Sequence, residues 1–271
     1  MTKLKFLLFI TVLLGFAALA HAGLKDGEAA YDRGDYARAY KRLKPLAEQG
    51  LAGAQYILGL MCRSGRGVPQ DHAEAVKWFR KAAAQGDLES QFELGLAYAD
   101  GKGVPQDYAE AAKWFRKAAA QGDDEAQFEL GSAYLEGRGV PQDYAEAVKW
   151  YRRSARQGFP PAQRELGGLY AIGQSVPQNY GTAVKWYRKA AEQGDDAAQF
   201  ELGWAYADGR GVPQDFVQAY VWFDLAAAHG GESYAEDYGK DFRDSFAEKM
   251  TPAQIAEAQR LVREWKAKER H

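Results

Sequence analysis

Apolar positions along the chain alternate between two helical patterns. In the run LESQFELGLAYAD, Gln91, Leu94, Gly95 and Tyr98 fall at i, i+3, i+4 and i+7, one face of a helix. In the following run, Ala111, Trp114, Phe115, Ala118 and Ala119 form a second apolar stripe beside small residues. Polar punctuation separates the two. Asp87 follows a glycine and suits a helix N-cap. Asp107 with Glu110 has capping-box spacing, as do Asp71 with Glu74 and Asp143 with Glu146. Gly101-Lys102-Gly103 ends the first helix and Gly122 closes the second. Gly95 stands inside its helix, at a cost of about 1 kcal/mol relative to alanine. Its recurrence in every unit predicts helices that approach too closely for a Cβ.

The pair repeats. Pro69, Pro105, Pro141, Pro177 and Pro213 stand 36 residues apart, as do Trp78, Trp114, Trp150, Trp186 and Trp222. Leu58, Leu94, Leu130, Leu166 and Leu202 keep the same step, each followed by glycine. Such a period signals stacked supersecondary units. Five units are expected: 51–86, 87–122, 123–158, 159–194 and 195–230. Residues 23–50 form a shortened capping pair. Residues 231–271 supply capping helices, with Tyr238, Phe242 and Phe246 on one face. A last helix begins at Thr251-Pro252 and carries Ile255, Leu261, Val262 and Trp265 inward. The fourth unit departs from the pattern. Phe159-Pro160-Pro161 replaces the Gly-Asp cap, Ser175 replaces a loop glycine, and Asn179 to Thr182 lacks the capping box, so this unit is expected to be locally weaker.

The first 22 residues follow different rules. Lys3 and Lys5 precede an apolar run from Phe6 to Leu19, and Ala20-His21-Ala22 resembles a cleavage box. This is the layout of a secretory signal peptide cleaved after Ala22. A retained inner-membrane anchor is the alternative. Export into the periplasm of a Gram-negative cell, or secretion, is expected, with no integral membrane segment after signal removal. Without Lys3 and Lys5, 33 basic residues face 37 acidic ones, a net charge of −4. That balance excludes a general polyanion binder, and no nucleic-acid partner is expected. The single cysteine, Cys62, precludes an internal disulfide.

The segment AQFELGSAYLEGRGVPQDYAEAVKWYRRSA, Ala126 to Ala155, resembles the Sel-one-like repeat family, a relative of the tetratricopeptide repeat with a longer loop between its helices. The resemblance covers roughly residues 27–230, and Met250 to Trp265 is similar to the tail that closes bacterial members. It implies an all-α fold, a right-handed α/α superhelical solenoid with terminal capping helices. It also implies a scaffolding role, with partner proteins or peptides held on the concave surface in envelope, signalling or polysaccharide-related processes. A cysteine-rich branch of the family binds or hydrolyses β-lactams through a fold with paired cysteines in each unit. Those pairs are missing here, which disfavours that enzymatic alternative.

Candidate chemistry is sparse. The histidines left after export, His72, His229 and His271, form no HExxH and no cluster at metal spacing. No catalytic residue, metal or cofactor is expected. Glu93, Glu129, Glu165 and Glu201 recur too far apart to share one bond, and are expected to neutralise basic residues on neighbouring helices. Triplets such as Lys77, Arg80 and Lys81 occupy one helix face. They read as a solvated surface, with an anionic-glycan strip as the alternative. The tryptophan ladder reads as packing.

Scaffold positions repeat, whereas reading positions should vary. Two sites one turn apart on the first helix hold Tyr56 and Leu60, Phe92 and Leu96, Phe128 and Ser132, Arg164 and Gly168, and Phe200 and Trp204. Aromatic anchors and arginine dominate many interfaces. Tyr56, Leu60, Phe92, Leu96, Phe128, Arg164, Phe200 and Trp204 are therefore the candidate partner-binding residues. Packing between successive units is the competing role for them.

Overall fold

The computed structural model describes residues 20–228 and 234–268. The expected signal segment lies outside them as far as residue 19, as do His229 and His271. The described residues form fourteen α-helices and no strand. They are α1 (20–32), α2 (Tyr36–Glu48), α3 (Ala52–Ser64), α4 (His72–Ala83), α5 (Leu88–Asp100), α6 (Tyr108–Gln121) and α7 (Asp124–Glu136). There follow α8 (Tyr144–Gln157), α9 (Pro160–Ile172), α10 (Tyr180–Ala191), α11 (Asp196–Asp208), α12 (Phe216–Ala226), α13 (Tyr234–Ala247) and α14 (Pro252–Lys268). Most of the element contacts join helices adjacent in sequence, the arrangement of a helical-repeat solenoid.

The helices fall into two compact units: residues 1–126 with 138–140, and residues 127–137 with 141–271. In the first, α3 packs on α4, α4 on α5 and α5 on α6. In the second, α8 through α12 continue the series, and α13 and α14 both pack on α12. Phe242 and Phe246 of α13 meet Phe223 at ring-centre distances of 5.8 and 5.7 Å. Trp265 of α14 meets Trp222 at 5.0 Å.

The repeated words have local causes. Asp71, Asp107, Asp143 and Asp215 accept from backbone N–H groups in the first turn of the helix that follows each. Each also donates its own backbone N–H to the carbonyl of Cys62, Tyr98, Tyr134 or Tyr206 at 2.8–2.9 Å, fixing the loop across the pair. The glutamine after each loop proline plugs the end of the first helix. Gln70, Gln106, Gln142, Gln178 and Gln214 donate from Nε2 to the carbonyl seven residues earlier at 2.7–2.9 Å. Orphan carbonyls at a helix C-terminus are satisfied in this way.

The helix-interior glycines make the close approach that their recurrence predicts. A Cβ added at Gly59 or Gly95 would lie 2.4 Å from the ring of Phe79 or Phe115. At Gly131, Gly167 and Gly203 it would lie 2.7–2.8 Å from Tyr151, Tyr187 and Phe223. The rings fill the space that a side chain would need, so the glycine's cost is offset by burial of an aromatic, about 1.5–3 kcal/mol for phenylalanine.

A second buried device is polar. Gln55, Gln91, Gln163 and Gln199 donate to the carbonyls of Ala47, Ala83, Ala155 and Ala191 at the end of the preceding helix, at 2.9–3.3 Å. The side-chain oxygens of Gln55, Gln91 and Gln163 accept from Gln85, Gln121 and Gln193 at 2.9 Å. Gln127 accepts from Gln157 at 3.0 Å. A glutamine spine thus joins helix ends within each unit.

The fourth repeat is less irregular than its sequence suggests. Asn179 Oδ1 still accepts from Thr182 N–H at 2.8 Å, so the cap survives without the reciprocal glutamate. Phe159 caps without a side-chain hydrogen bond and packs instead against Phe128 at 5.4 Å. Ser175 is the one non-glycine among the described residues with positive φ, at 58°. A left-handed backbone costs a residue with a Cβ about 1–2 kcal/mol. Replacing Ser175→Gly is expected to raise the urea midpoint, by about 1 kcal/mol of stability. An unchanged or lowered midpoint would show that the serine side chain offsets the strain.

Candidate functional site

The eight candidate residues are not equivalent in the structure. Tyr56, Phe92 and Phe128 are half-buried, each with its ring against the buried aromatic of the following helix: Phe79, Phe115 and Tyr151, at 6.2, 5.8 and 5.5 Å. Leu60 and Leu96 are half-buried beside them. Arg164 lies beside Asp195 at 3.4 Å and Glu165 at 3.3 Å. Phe200 is interior, packed against Phe223 and Phe242. Trp204 lies under Phe242 at 4.7 Å and Phe246 at 6.0 Å. The aromatic face of α13 covers these last two, so the structure sets them apart from the other six.

The basic triplets are used within the chain. Lys77, Lys113 and Lys149 pair with the capping-box glutamates Glu74, Glu110 and Glu146. Arg80, Arg152 and Arg188 donate to the hydroxyls of Tyr98, Tyr170 and Tyr206, at 2.7, 3.0 and 2.6 Å. Lys81, Lys117, Arg153 and Lys189 lie over Trp78, Trp114, Trp150 and Trp186 at 3.8–4.7 Å. Each cation lies over a ring of its own helix, a contact of about 0.5–1 kcal/mol at exposed sites. Trp78, Trp150 and Trp222 are buried, whereas Trp114 and Trp186 are half-buried. Cys62 is also buried, and loss of hydration pushes its thiol above the ordinary range. That opposes a nucleophilic role.

Grooves open where the first helix of one repeat faces the second helix of the repeat before it. In the first unit, Arg63, His72, Phe79, Glu93, Leu96, Asp100 and Lys102 are among the residues lining a hollow of about 440 Å³. Three repeats further along, the second unit presents the matching positions: Ala171, Tyr180, Tyr187, Glu201, Trp204, Asp208 and Arg210. There the space opens into a hollow of about 670 Å³ that also takes in Glu165, Gly168 and Ile172. Among the described residues, no group of three or more histidine, cysteine or acidic side chains is arranged to hold a metal ion. No helix among them is long and apolar enough to cross a membrane.

The two hollows differ in charge. Arg63 is hydrogen-bonded to the Glu93 carboxylate, as neutralisation from a neighbouring helix requires. Burial still pushes that carboxyl above the ordinary range, against the pull of Arg63. Glu165 pairs only with its own neighbour Arg164, and Glu201 makes no ion pair with a described residue. Glu201 is exposed at the groove mouth, yet the chain packed around its base raises its carboxyl, and Arg164 opposes the rise. Sequence reasoning treated the glutamate row as uniform and missed this. The signal lay in the register of Arg63, which becomes alanine at Ala171.

A sequence model described as Sel1 repeat matches residues 52–87, 88–123, 124–159, 160–195 and 196–231. The chain is similar in structure to c5321, a protective antigen of uropathogenic Escherichia coli with an SLR fold. The identity is 40% and the TM-score 0.78, over 90% of this chain and 53% of that one, so it spans about half the length of that relative. It is also similar to a Sel1 repeat protein from Oxalobacter formigenes, at 31% identity and TM-score 0.74, covering 83% of this chain and 96% of that one. No curated protein matches.

The raised Glu93 carboxyl gives a pH test. A carboxyl raised on folding weakens the fold when ionised. The penalty is full above its folded value and vanishes as pH falls below its unfolded value. Glu93→Gln removes the titration. The variant is therefore expected to gain on the native chain at pH 7, and the gap to close toward acid, in urea titrations across pH. A gap that widens toward acid would mean that Arg63 dominates.

Proposed function

We infer the function from one premise: the chain belongs to the Sel1 repeat family. Proteins built from these repeats are typically protein-interaction scaffolds. We propose that this one is an exported scaffold that holds a protein or peptide partner through Tyr56, Leu60, Phe92 and Leu96 of the first unit, with Phe128 and Arg164 as docking residues of the second, and that it carries no chemistry of its own. The observation that carries this reading is the divided role of the aromatic row. One side of Tyr56, Phe92 and Phe128 anchors on the buried ring behind it; each stays half-buried, Phe128 meeting Phe159 as well. A ring held rigid from behind loses little entropy on capture, which favours an interface anchor.

The basic rows support docking at the first-helix face rather than glycan binding at the second. Their ammonium and guanidinium groups already engage carboxylates, phenols and indoles of the chain. Export rests on the basic start, the apolar run and the small-residue box at residues 3–22. The protective-antigen character of the Escherichia coli relative fits a molecule displayed outside the cytoplasm.

A photocrosslinker placed at Phe92 in the native host should trap a partner on a chain whose mass begins at Gly23. Phe92→Ala should weaken its capture by roughly tenfold or more while shifting the melting temperature by only a few degrees. If stability and capture fall together, Phe92 is a packing residue, and a chain that retains residues 1–22 would refute cleavage.

A further inference from the structure

Two grooves of the described residues, one in each unit, share a register, and of these two only the first is closed from within. In the first, Arg63 of α3 caps the Glu93 carboxylate. In the second, Ala171 occupies the register of Arg63, and Glu201, the counterpart of Glu93, has no ion pair with a described residue. A separate substitution in the same repeat uncovers a phenol. Ser132 Oγ lies 3.0 Å from the hydroxyl of Tyr151. One repeat later the serine is Gly168 and the tyrosine is Tyr187, which is only 7% exposed. The Tyr187 hydroxyl makes no hydrogen bond to a described residue, and a Cβ on Gly168 would meet nothing but that hydroxyl, at 3.7 Å. Phenol and carboxylate line the same 670 Å³ hollow. Burial first, then Glu201 and Glu165, push the Tyr187 phenol upward, so it remains a neutral hydroxyl.

We propose that this groove of the second unit is the subsite for an arginine side chain of the docked partner, whose guanidinium stands over Glu201 as Arg63 stands over Glu93. This deepens the docking reading and rests on it. The other charges at the groove are already matched: Arg210 by Asp208 at 3.1 Å, and Arg164 by Asp195 and Glu165. Glu201 is the carboxylate left over. A guanidinium presents five donors in a planar fork, enough to serve a carboxylate and a phenol oxygen together. A lysine ammonium lacks that fork. Ile172, 66% exposed on the rim, offers an apolar surface for the methylene stem.

The test uses the chain from Gly23 and a dye-labelled, extended hexapeptide with one central arginine, compared with the same peptide carrying citrulline, which keeps the shape and loses the charge. Fluorescence anisotropy should show the arginine peptide binding about tenfold or more tighter, as a charge-assisted hydrogen bond implies. Ala171→Arg supplies the guanidinium internally, as Arg63 does, and should abolish the preference while leaving the melting temperature unchanged or raised. Glu201→Gln should abolish it by removing the negative charge. Equal binding of the two peptides, or a preference that survives both variants, overturns the subsite. So does competition by a neutral oligosaccharide that persists in Glu201→Gln. The crosslink from position 92 separates the two claims. Capture unchanged in Ala171→Arg leaves docking intact and removes the arginine subsite, whereas a peptide preference without any partner trapped at 92 leaves the subsite and removes the docking face.

Discussion

The contact between a helix-interior glycine and the aromatic ring twenty residues later holds each repeat together. Gly59 with Phe79, Gly95 with Phe115, Gly131 with Tyr151, Gly167 with Tyr187 and Gly203 with Phe223 set how near the two helices of a pair come. Everything built on the pair inherits that spacing. The loop can be spanned by a proline and a capping aspartate only because the helix ends lie at a fixed separation. The half-buried ring one turn before the glycine then has a rigid backstop. The para position of the backstop decides how polar the groove is. Phenylalanine leaves it apolar, whereas tyrosine brings in a nearly buried hydroxyl that the residue opposite can satisfy. Ser132 does so for Tyr151, and Gly168 does not for Tyr187.

Charge is distributed with similar economy. The second helix of each pair spends its cations locally, on cap glutamates, tyrosine hydroxyls and tryptophan faces. This stiffens the outer surface and withdraws it from long-range attraction of polyanions. The first helix carries the glutamate row, and the balance there varies from repeat to repeat. Arg63 pairs with Glu93, while Glu201 makes no ion pair with a described residue. In a structure of near-identical bricks, individuality resides in the few registers where a partner residue has been changed.

Most of the architecture is legible in the sequence because period, caps and glycines are local signals that repeat. The Asp107 and Asp143 caps, the Trp265 closure and the crowding at Gly95 all follow from pattern and sterics. The loop glutamines and the glutamine spine were not read, since a polar residue among apolar neighbours announces burial only once its carbonyl partner in another helix is known. The candidate site was harder. Phe200 and Trp204 match Phe92 and Leu96 by register, yet α13 lies over them, and no pattern within one repeat foretells what the terminal helix covers. The cap at Asn179 persisted because asparagine offers the same acceptor oxygen as aspartate.

The glutamine spine has a consequence for how such a chain changes length. Within each unit the same bond recurs: an alanine carbonyl at the end of one second helix is taken up by the buried amide of Gln55, Gln91, Gln163 or Gln199 in the next first helix. Excising or duplicating a segment of one full period therefore rejoins identical halves and strands no polar atom in the interior. A cut of any other size would leave an amide facing a mismatched wall. Evolution by whole bricks is thus chemically silent at those seams, and the chain can lengthen or shorten without redesigning its joints.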